Sequence, residues 1–245
     1  MKKLLFLLAL LYSTPCLAAC DAQTSMMLHM NGSDTSTTFT DDSPSPLTVT
    51  ANGTAQIDTA QSKFGGASGI FALNAYLTTN DTAEMDMGTG DFTVDFWIRF
   101  ASVGEGQRIF SIGTYNSSGI SCFFAVSGNL QFYINSSTAT YDTLWGPSIN
   151  TWYHVAIARS GSTAKVFIDG TQLGSDITDS TSLSTTSGIY VSAWDISTSD
   201  GLNGGWLDEF RVSKGVARWT SDFTPPTSEY CGTATDISGM FQCFE

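Results

Sequence analysis

The sequence predicts an all-β domain of two packed antiparallel sheets. Short runs of alternating apolar and polar residues recur along the chain, and clusters of Gly, Ser, Thr, Asn and Asp separate them with no long helical periodicity between. The length, 245 residues, suits one large β-sandwich. In chain order the strand candidates begin with MMLHM (26–30), LTVTA (47–51) and AYLTT (75–79). The clearest alternation follows in DFTVDFWIRF, where Phe92, Val94, Phe96, Ile98 and Phe100 share one face and Asp91, Thr93, Asp95, Trp97 and Arg99 the other, a half-buried strand. QRIFSIG (107–113) comes next. SCFFAV and LQFYIN then flank Ser127-Gly128-Asn129, WYHVAIARS and AKVFIDG flank Gly161-Ser162-Thr163, and Asp169-Gly170 turns into TQL, which reads as successive hairpins. GIYVSAW and GWLDEFRV complete the set, and KGVARW has room for a single helical turn. The absence of βαβ alternation points to sheet on sheet rather than a parallel sheet with covering helices.

The first residues, MKKLLFLLALLYSTPCLAAC, combine two lysines, an apolar run and small residues before a cut site, so residues 1–19 read as a secretion signal. Two cuts compete. Leu17-Ala18-Ala19-Cys20 fits a lipobox, which would make Cys20 a lipid anchor, and Ala18 and Ala19 also suit ordinary signal peptidase. The expected protein is exported, either secreted or periplasmic, with lipid anchoring at the cell surface as the alternative, and no later apolar run approaches the ~20 residues of a spanning helix. The domain is drawn as residues 20–227, with 228–245 as a tail carrying Cys231 and Cys243. An oxidising compartment permits disulfides, and Cys20 with Cys231 competes with Cys231 with Cys243; Cys122 in an apolar run reads as a buried small hydrophobe.

Ten Lys and Arg stand against 23 Asp and Glu, a formal charge of −13. No basic patch exists to displace phosphate counterions, which argues against nucleic acid and against anionic membrane surfaces. Enzymatic readings also lack support. A glycosidase needs two carboxyls about 5 to 9.5 Å apart. Asp91 and Asp95 share a face but lie roughly 13 Å apart along a strand, and Asp208 and Glu209, as strand neighbours, are expected on opposite faces. Glu209 and Arg211 would then pair at the surface. His29 and His154 sit in apolar runs and read as structural histidines, and neither a Gly-x-Ser-x-Gly elbow nor a phosphate loop is present. Glu84 and Asp86 are better spaced, yet lie among methionines.

Sugar recognition needs flat aromatic side chains beside a few hydrogen-bonding groups, often on loops. Tyr115 in GTYNSSG, Tyr141 and Trp145 in YDTLWGPS, and Trp194 with Asp195 in AWDISTSDGLN meet that description and are the candidate ligand residues. For Asp208 two readings stand. It is either a calcium ligand meeting loop acids such as Asp34 and Asp42, since calcium takes six to eight hard oxygens, or an acid capped by backbone amides where strand meets loop.

From Met27 to about Thr227 the chain resembles the laminin G-like jelly roll of the concanavalin A-like lectin and glucanase fold. The resemblance rests on landmarks in order: LHMNGSDTSTTFTDDS, GTAQIDTAQSKFGGASGIF, GTGDFTVDFWIRF, TWYHVAIARSGSTAKVFIDGTQ and GWLDEFRVSKGVARWTSDFTPP. It implies a two-sheet jelly-roll sandwich and a non-catalytic module that binds sugars or surface ligands, often with calcium. The chain departs from the family's pattern at Asn31-Gly32, where relatives commonly show Asp-Gly, and at FALNAYL, which lacks that segment's two acids. The expected function is an exported binding module for a glycan or a surface protein; the alternative is a structural or decoration protein of an envelope or a phage particle.

Overall fold

The computed structural model describes residues 20–80, 83–114, 118–184, 187–194 and 201–231. The signal segment and the candidates Tyr115, Asp195 and Cys243 lie outside the described residues. The strands are β1 (Thr24–Leu28), β2 (Val49–Asn52), β3 (Gln56–Asp58), β4 (Ser68–Phe71), β5 (Tyr76–Thr79), β6 (Phe92–Arg99), β7 (Gln107–Thr114) and β8 (Ser118–Phe124). They continue as β9 (Asn129–Ile134), β10 (Tyr141–Leu144), β11 (Trp152–Ser160), β12 (Thr163–Ile168), β13 (Thr171–Gln172), β14 (Ile177–Thr178), β15 (Ile189–Val191) and β16 (Gly205–Lys214). One sheet of nine strands runs β13-β12-β11-β6-β16-β4-β3, with β1 added beside β16 and β14 beside β12; the other, of seven, runs β10-β9-β8-β7-β15-β5-β2. Every pairing is antiparallel.

The expected all-β jelly-roll sandwich is therefore present. Alternation explains its core. The inner row of β6 meets the second sheet through Phe96, whose ring lies 5.9 Å from Phe110 of β7, and Phe100, just past the strand's end, lies 5.0 Å from Phe124 of β8. Phe210 of β16 stacks on Phe96 at 5.9 Å and meets Phe110 edge-on at 5.8 Å. Cys122 is fully buried in the same core, where burial pushes its thiol well above the usual range. The hairpins predicted at 127–129, 161–163 and 169–170 all form. Two local expectations change. KGVARW forms no helical turn; among the described residues the short helix is a 3-10 turn at Ala83–Met85. YDTL, read as loop, is β10, pairing with β9 at the edge of the second sheet.

The second face of β6 is buried as well, because a strap formed by residues 216–231 crosses the outer surface of the nine-stranded sheet. Thr93 and Asp95 are fully buried and Trp97 is 4% exposed. Trp219 and Phe223 stack at 4.1 Å, and both approach His154 edge-on. The Phe223 amide donates to the Gly170 carbonyl. Gly170 sits at φ +78, and a Cβ there would come 1.9 Å from the Phe223 oxygen, so the turn that closes the β12–β13 hairpin must be glycine for the strap to dock. Tyr230 donates its backbone N–H to Glu209 and shares a 2.9 Å hydrogen bond with His154 Nε2. Cys231 bonds Cys20, fastening the end of the strap to the start of β1. Glu229, Tyr230 and Cys231, which the sequence reading drew into a tail, are thus packed on the sheet.

Beneath the strap Arg211 makes two 3.0 Å hydrogen bonds to the Asp95 carboxylate. Burial alone would raise the Asp95 pKa, and the Arg211 charge together with His154 holds it down instead. The expected surface pair of Glu209 with Arg211 does not form: Arg211 takes Asp95 and Glu209 takes His29.

The cause is a β-bulge. Asp208 opposes Trp97 and Arg211 opposes Asp95, so Glu209 and Phe210 together face the single residue Phe96, and Glu209 adopts a positive φ of 52°. Leu207 and Phe210 both enter the core, leaving the two residues between them, Asp208 and Glu209, on the same outer face. Their expected separation onto opposite faces is overturned by this one inserted residue.

Candidate functional site

The outer face of the seven-stranded sheet is the surface the strap leaves alone. Period-two geometry places its residues. Ile120, Cys122 and Phe124 of β8 enter the core, so Ser121 and Phe123 face out; Leu130, Phe132 and Ile134 of β9 do the same for Asn129, Gln131 and Tyr133. Tyr190 of β15 faces out between Ser111 and Thr78. Trp194, just beyond β15, lies across this face with its ring 5.4 Å from Phe123 and 5.3 Å from Tyr133, both edge-inclined. The Arg108 guanidinium stands 4.2 Å over the Trp194 ring. Ser111 and Ser121 share a 2.8 Å hydroxyl hydrogen bond, the Tyr133 hydroxyl donates to Gln131, and the Asn129 amide donates to Asp142 of β10. Aromatic surface interleaved with amide and hydroxyl groups is the chemistry that binds sugar rings.

Of the aromatic candidates, Trp194 belongs to this surface but is only 7% exposed, whereas Phe123 and Tyr133 are half-buried. Tyr141 and Trp145 do not join it. Tyr141 is 5% exposed, packs on Phe132 and donates its hydroxyl to the Leu173 carbonyl. Trp145 is 7% exposed and wedged among Phe100, Phe124 and Tyr153. YDTL pairs as a strand and turns both rings inward, which is why neither forms a loop platform. Phe123 and Tyr133 lie on strands and not on loops, where sugar platforms are expected; the alternation in SCFFAV and LQFYIN places both on an outer face.

The acids considered for calcium are dispersed. Asp34 is exposed and accepts the Thr59 amide; Asp208 is fully buried, its Oδ2 accepting the amides of Lys63 and Phe64 while Oδ1 has no partner. Burial raises the Asp208 carboxyl to about 8, against the pull of those two amides. Asp34, Asp42 and Asp208 do not form a ligand group; the group whose donor atoms do converge, among the described residues, is His29, Glu209 and Glu229. The set drawn for calcium therefore does not fit it, and Asp208 matches the amide-capped reading.

A buried cation that the sequence reading passed over ties several loops together. Arg159 is fully buried, pairs with Asp179 at 2.8 Å and donates to the carbonyls of Gly88, Gly90 and Thr181. Its partners are mostly main-chain oxygens, so it holds loops and presents nothing to a ligand.

No curated protein matches the chain. Solved structures do. The receptor binding domain of botulinum neurotoxin D is similar at 15% identity and TM-score 0.60, over 79% of this chain and 50% of that one. Domain 4 of AbnA, a GH43 extracellular arabinanase from Geobacillus stearothermophilus, in complex with arabinotriose, is similar at 18% identity and TM-score 0.61, over 79% of this chain and 93% of that domain. The binding domain of Paraclostridial Mosquitocidal Protein 1 shares 14% identity at TM-score 0.58, over 91% of this chain and 52% of that one. The chain spans about half the length of the toxin binding domains it matches. At these identities the likeness is one of fold. Residues 71–220, from the end of β4 to beyond β16, match the Laminin_G_3 model, and the chain belongs to that family of the concanavalin A-like lectin/glucanases superfamily.

Proposed function

We propose that the domain is a non-catalytic binding module that receives a neutral glycan on the outer face of the seven-stranded sheet. The observation that carries this reading is the cluster of Phe123, Tyr133 and Trp194 under Arg108, set among Asn129, Gln131 and Tyr190. A sugar ring stacks its C–H groups on an aromatic face while side-chain amides take its hydroxyls. A formal charge of −13 opposes polyanionic ligands. The reading gains support from domain 4 of AbnA, solved with arabinotriose. A non-catalytic role is supported by the placement of Asp95, Asp208 and Glu209, all buried on the opposite side of the sandwich and closed to a polysaccharide.

Export is part of the same proposal. The Cys20–Cys231 disulfide suits an oxidising compartment, and among the described residues no helix is long and apolar enough to cross a membrane. The Cys20 sulfur engaged in that bond has no valence for a lipid thioether, which favours ordinary secretion over lipid anchoring.

The test is a glycan array followed by calorimetry on the hits, comparing wild type with Tyr133→Ala and Phe123→Ala. Each variant is expected to weaken binding by about three- to tenfold, the worth of one aromatic contact, with unchanged circular dichroism. Retention of full affinity in both variants would remove the ligand from this face. An array with no hits would favour the structural-protein alternative.

A further inference from the structure

On the outer face of the nine-stranded sheet, a row of partly exposed side chains runs straight across adjacent strands. Trp152 of β11 opposes Arg99 of β6, and Arg99 opposes Trp206 of β16. Alternation puts all three on the outer face, because Tyr153, Ile98 and Leu207 beside them turn to the core. Two strand spacings set the Cα atoms of the tryptophans roughly 10 Å apart, with the arginine between them. Trp206 donates its Nε1–H to Asp58 at 2.6 Å, which fixes the ring, and the Arg99 guanidinium stands 4.6 Å over it. Two residues back along β6, Trp97 carries the Lys63 ammonium 3.8 Å over its own ring.

These two cations differ from others in the chain. Arg159, Lys165, Arg211 and Arg218 each face a carboxylate. Among the described residues the Lys63 and Arg99 side chains have neither an ion pair nor a hydrogen bond, and Arg99 Nη1 is buried without a partner. Asp58 does not answer them, since its Oδ1 accepts the Ala60 amide and its Oδ2 the Trp206 indole. Asp208, opposite Trp97, has its carboxyl raised to about 8 and is largely neutral at pH 7. Unpaired positive charge therefore gathers among tryptophans on a chain whose formal charge is −13. A guanidinium with an unfilled fork calls for an acceptor, and a carboxylate fits it with two parallel hydrogen bonds. Trp152, beside that fork, has no ring, cation or hydrogen-bond partner among the described residues, so its indole is available.

We propose that this row is a second binding site, for a sugar that bears one carboxylate, of the uronic acid class. The carboxylate takes the Arg99 fork, Lys63 supplies a second positive charge nearby, and the C–H groups of the ring rest on the Trp152 indole. Both halves of the ligand are set by the surface. The unpaired cations select an anion, and a flat strand surface carrying an unpartnered indole suits a rigid ring. One carboxylate is specified because the formal charge of −13 repels a polyanion. The row lies on the opposite side of the sandwich from Phe123 and Tyr133, so it does not rest on the neutral-glycan reading.

The experiment titrates the oxidised protein at low salt with an aldobiouronic acid, one uronate joined to one neutral sugar, and in parallel with the methyl ester of the same disaccharide. Tryptophan fluorescence and calorimetry read the binding. The acid is expected to bind with an affinity that falls as salt rises, and the ester to bind at least tenfold more weakly. Arg99→Gln removes the fork and should lose at least tenfold, and Trp152→Ala about three- to tenfold, both with unchanged circular dichroism. Tyr133→Ala, on the other sheet, should match wild type. Lys63→Gln, on a partly exposed side chain, repeats the charge test with about a threefold loss should Arg99→Gln fold poorly. No binding at millimolar acid, equal affinity for acid and ester, full affinity in both Arg99→Gln and Trp152→Ala, or a loss confined to Tyr133→Ala would overturn the assignment. A blank array of neutral glycans bears on the other face alone.

Discussion

At Asp208 the protein stores a carboxyl in its neutral form. The residue is fully buried, two amides cap one oxygen and nothing answers the other, so burial outweighs the caps and its pKa rises from 3.8 to about 8. The unfolded chain releases this proton first. Stability from this group is therefore greatest below about pH 4, falls as pH rises toward 8, and levels off above it. The slope is at most about 1.4 kcal/mol per pH unit. Asp208→Asn removes the titration, so thermal melts from pH 4 to 9 should show the variant gaining on wild type as pH rises through 4 to 8; parallel curves would disprove the raised pKa. The sequence showed the acidic pair at 208 and 209 but not its geometry. A bulge is a mismatch of register between two strands, and Asp208-Glu209-Phe210 carries no glycine or other local mark of the positive φ that Glu209 adopts. For the same reason the partners of Glu209 and Arg211 were misread: they depend on strands far away in the chain.

Among the elements, the strap decides most. It turns a half-solvated sheet face into a second buried layer and accounts for a buried Asp95–Arg211 pair that water would otherwise weaken. Its end is held by the Cys20–Cys231 bond, which closes a sequence separation of 211 residues. Cys231→Ser is expected to lower unfolding free energy by about 2–5 kcal/mol, read by urea denaturation, and reducing agent should shift wild type but leave the variant unchanged. Equal stability of the two proteins would show that packing alone secures the strap. Hairpin strands were legible because turn residues and alternation are local signals. The strap was not: its contacts with β6 and β11 join residues 60 or more positions apart.

In the molecule as a whole, two sheets meet through a phenylalanine cluster with one member from the seven-stranded sheet, Phe110, and two from the nine-stranded sheet, Phe96 and Phe210. Phe110→Ala would open a cavity at the centre of the interface and cost about 3–5 kcal/mol, measurable as a lowered urea midpoint. A change below about 1 kcal/mol would mean that the sheets slide to refill the gap. The fold was readable from the sequence because each landmark agrees with the others and with the period-two pattern. The candidate site was readable only in part, because both sheet faces carry aromatics and the sequence does not say which face is covered. Trp194 was identified and Phe123 and Tyr133 were not, while Tyr141 and Trp145 resembled exposed loop residues until β10 was seen to pair.

Cys20 and Cys231, the first and last of the described residues, are joined by a single covalent bond, on the side away from the aromatic surface. Such a domain plugs into a host as a cartridge does, through two adjacent contacts at its back. It can be spliced into a surface loop of an unrelated scaffold without stretching either connection, and its front would still point outward.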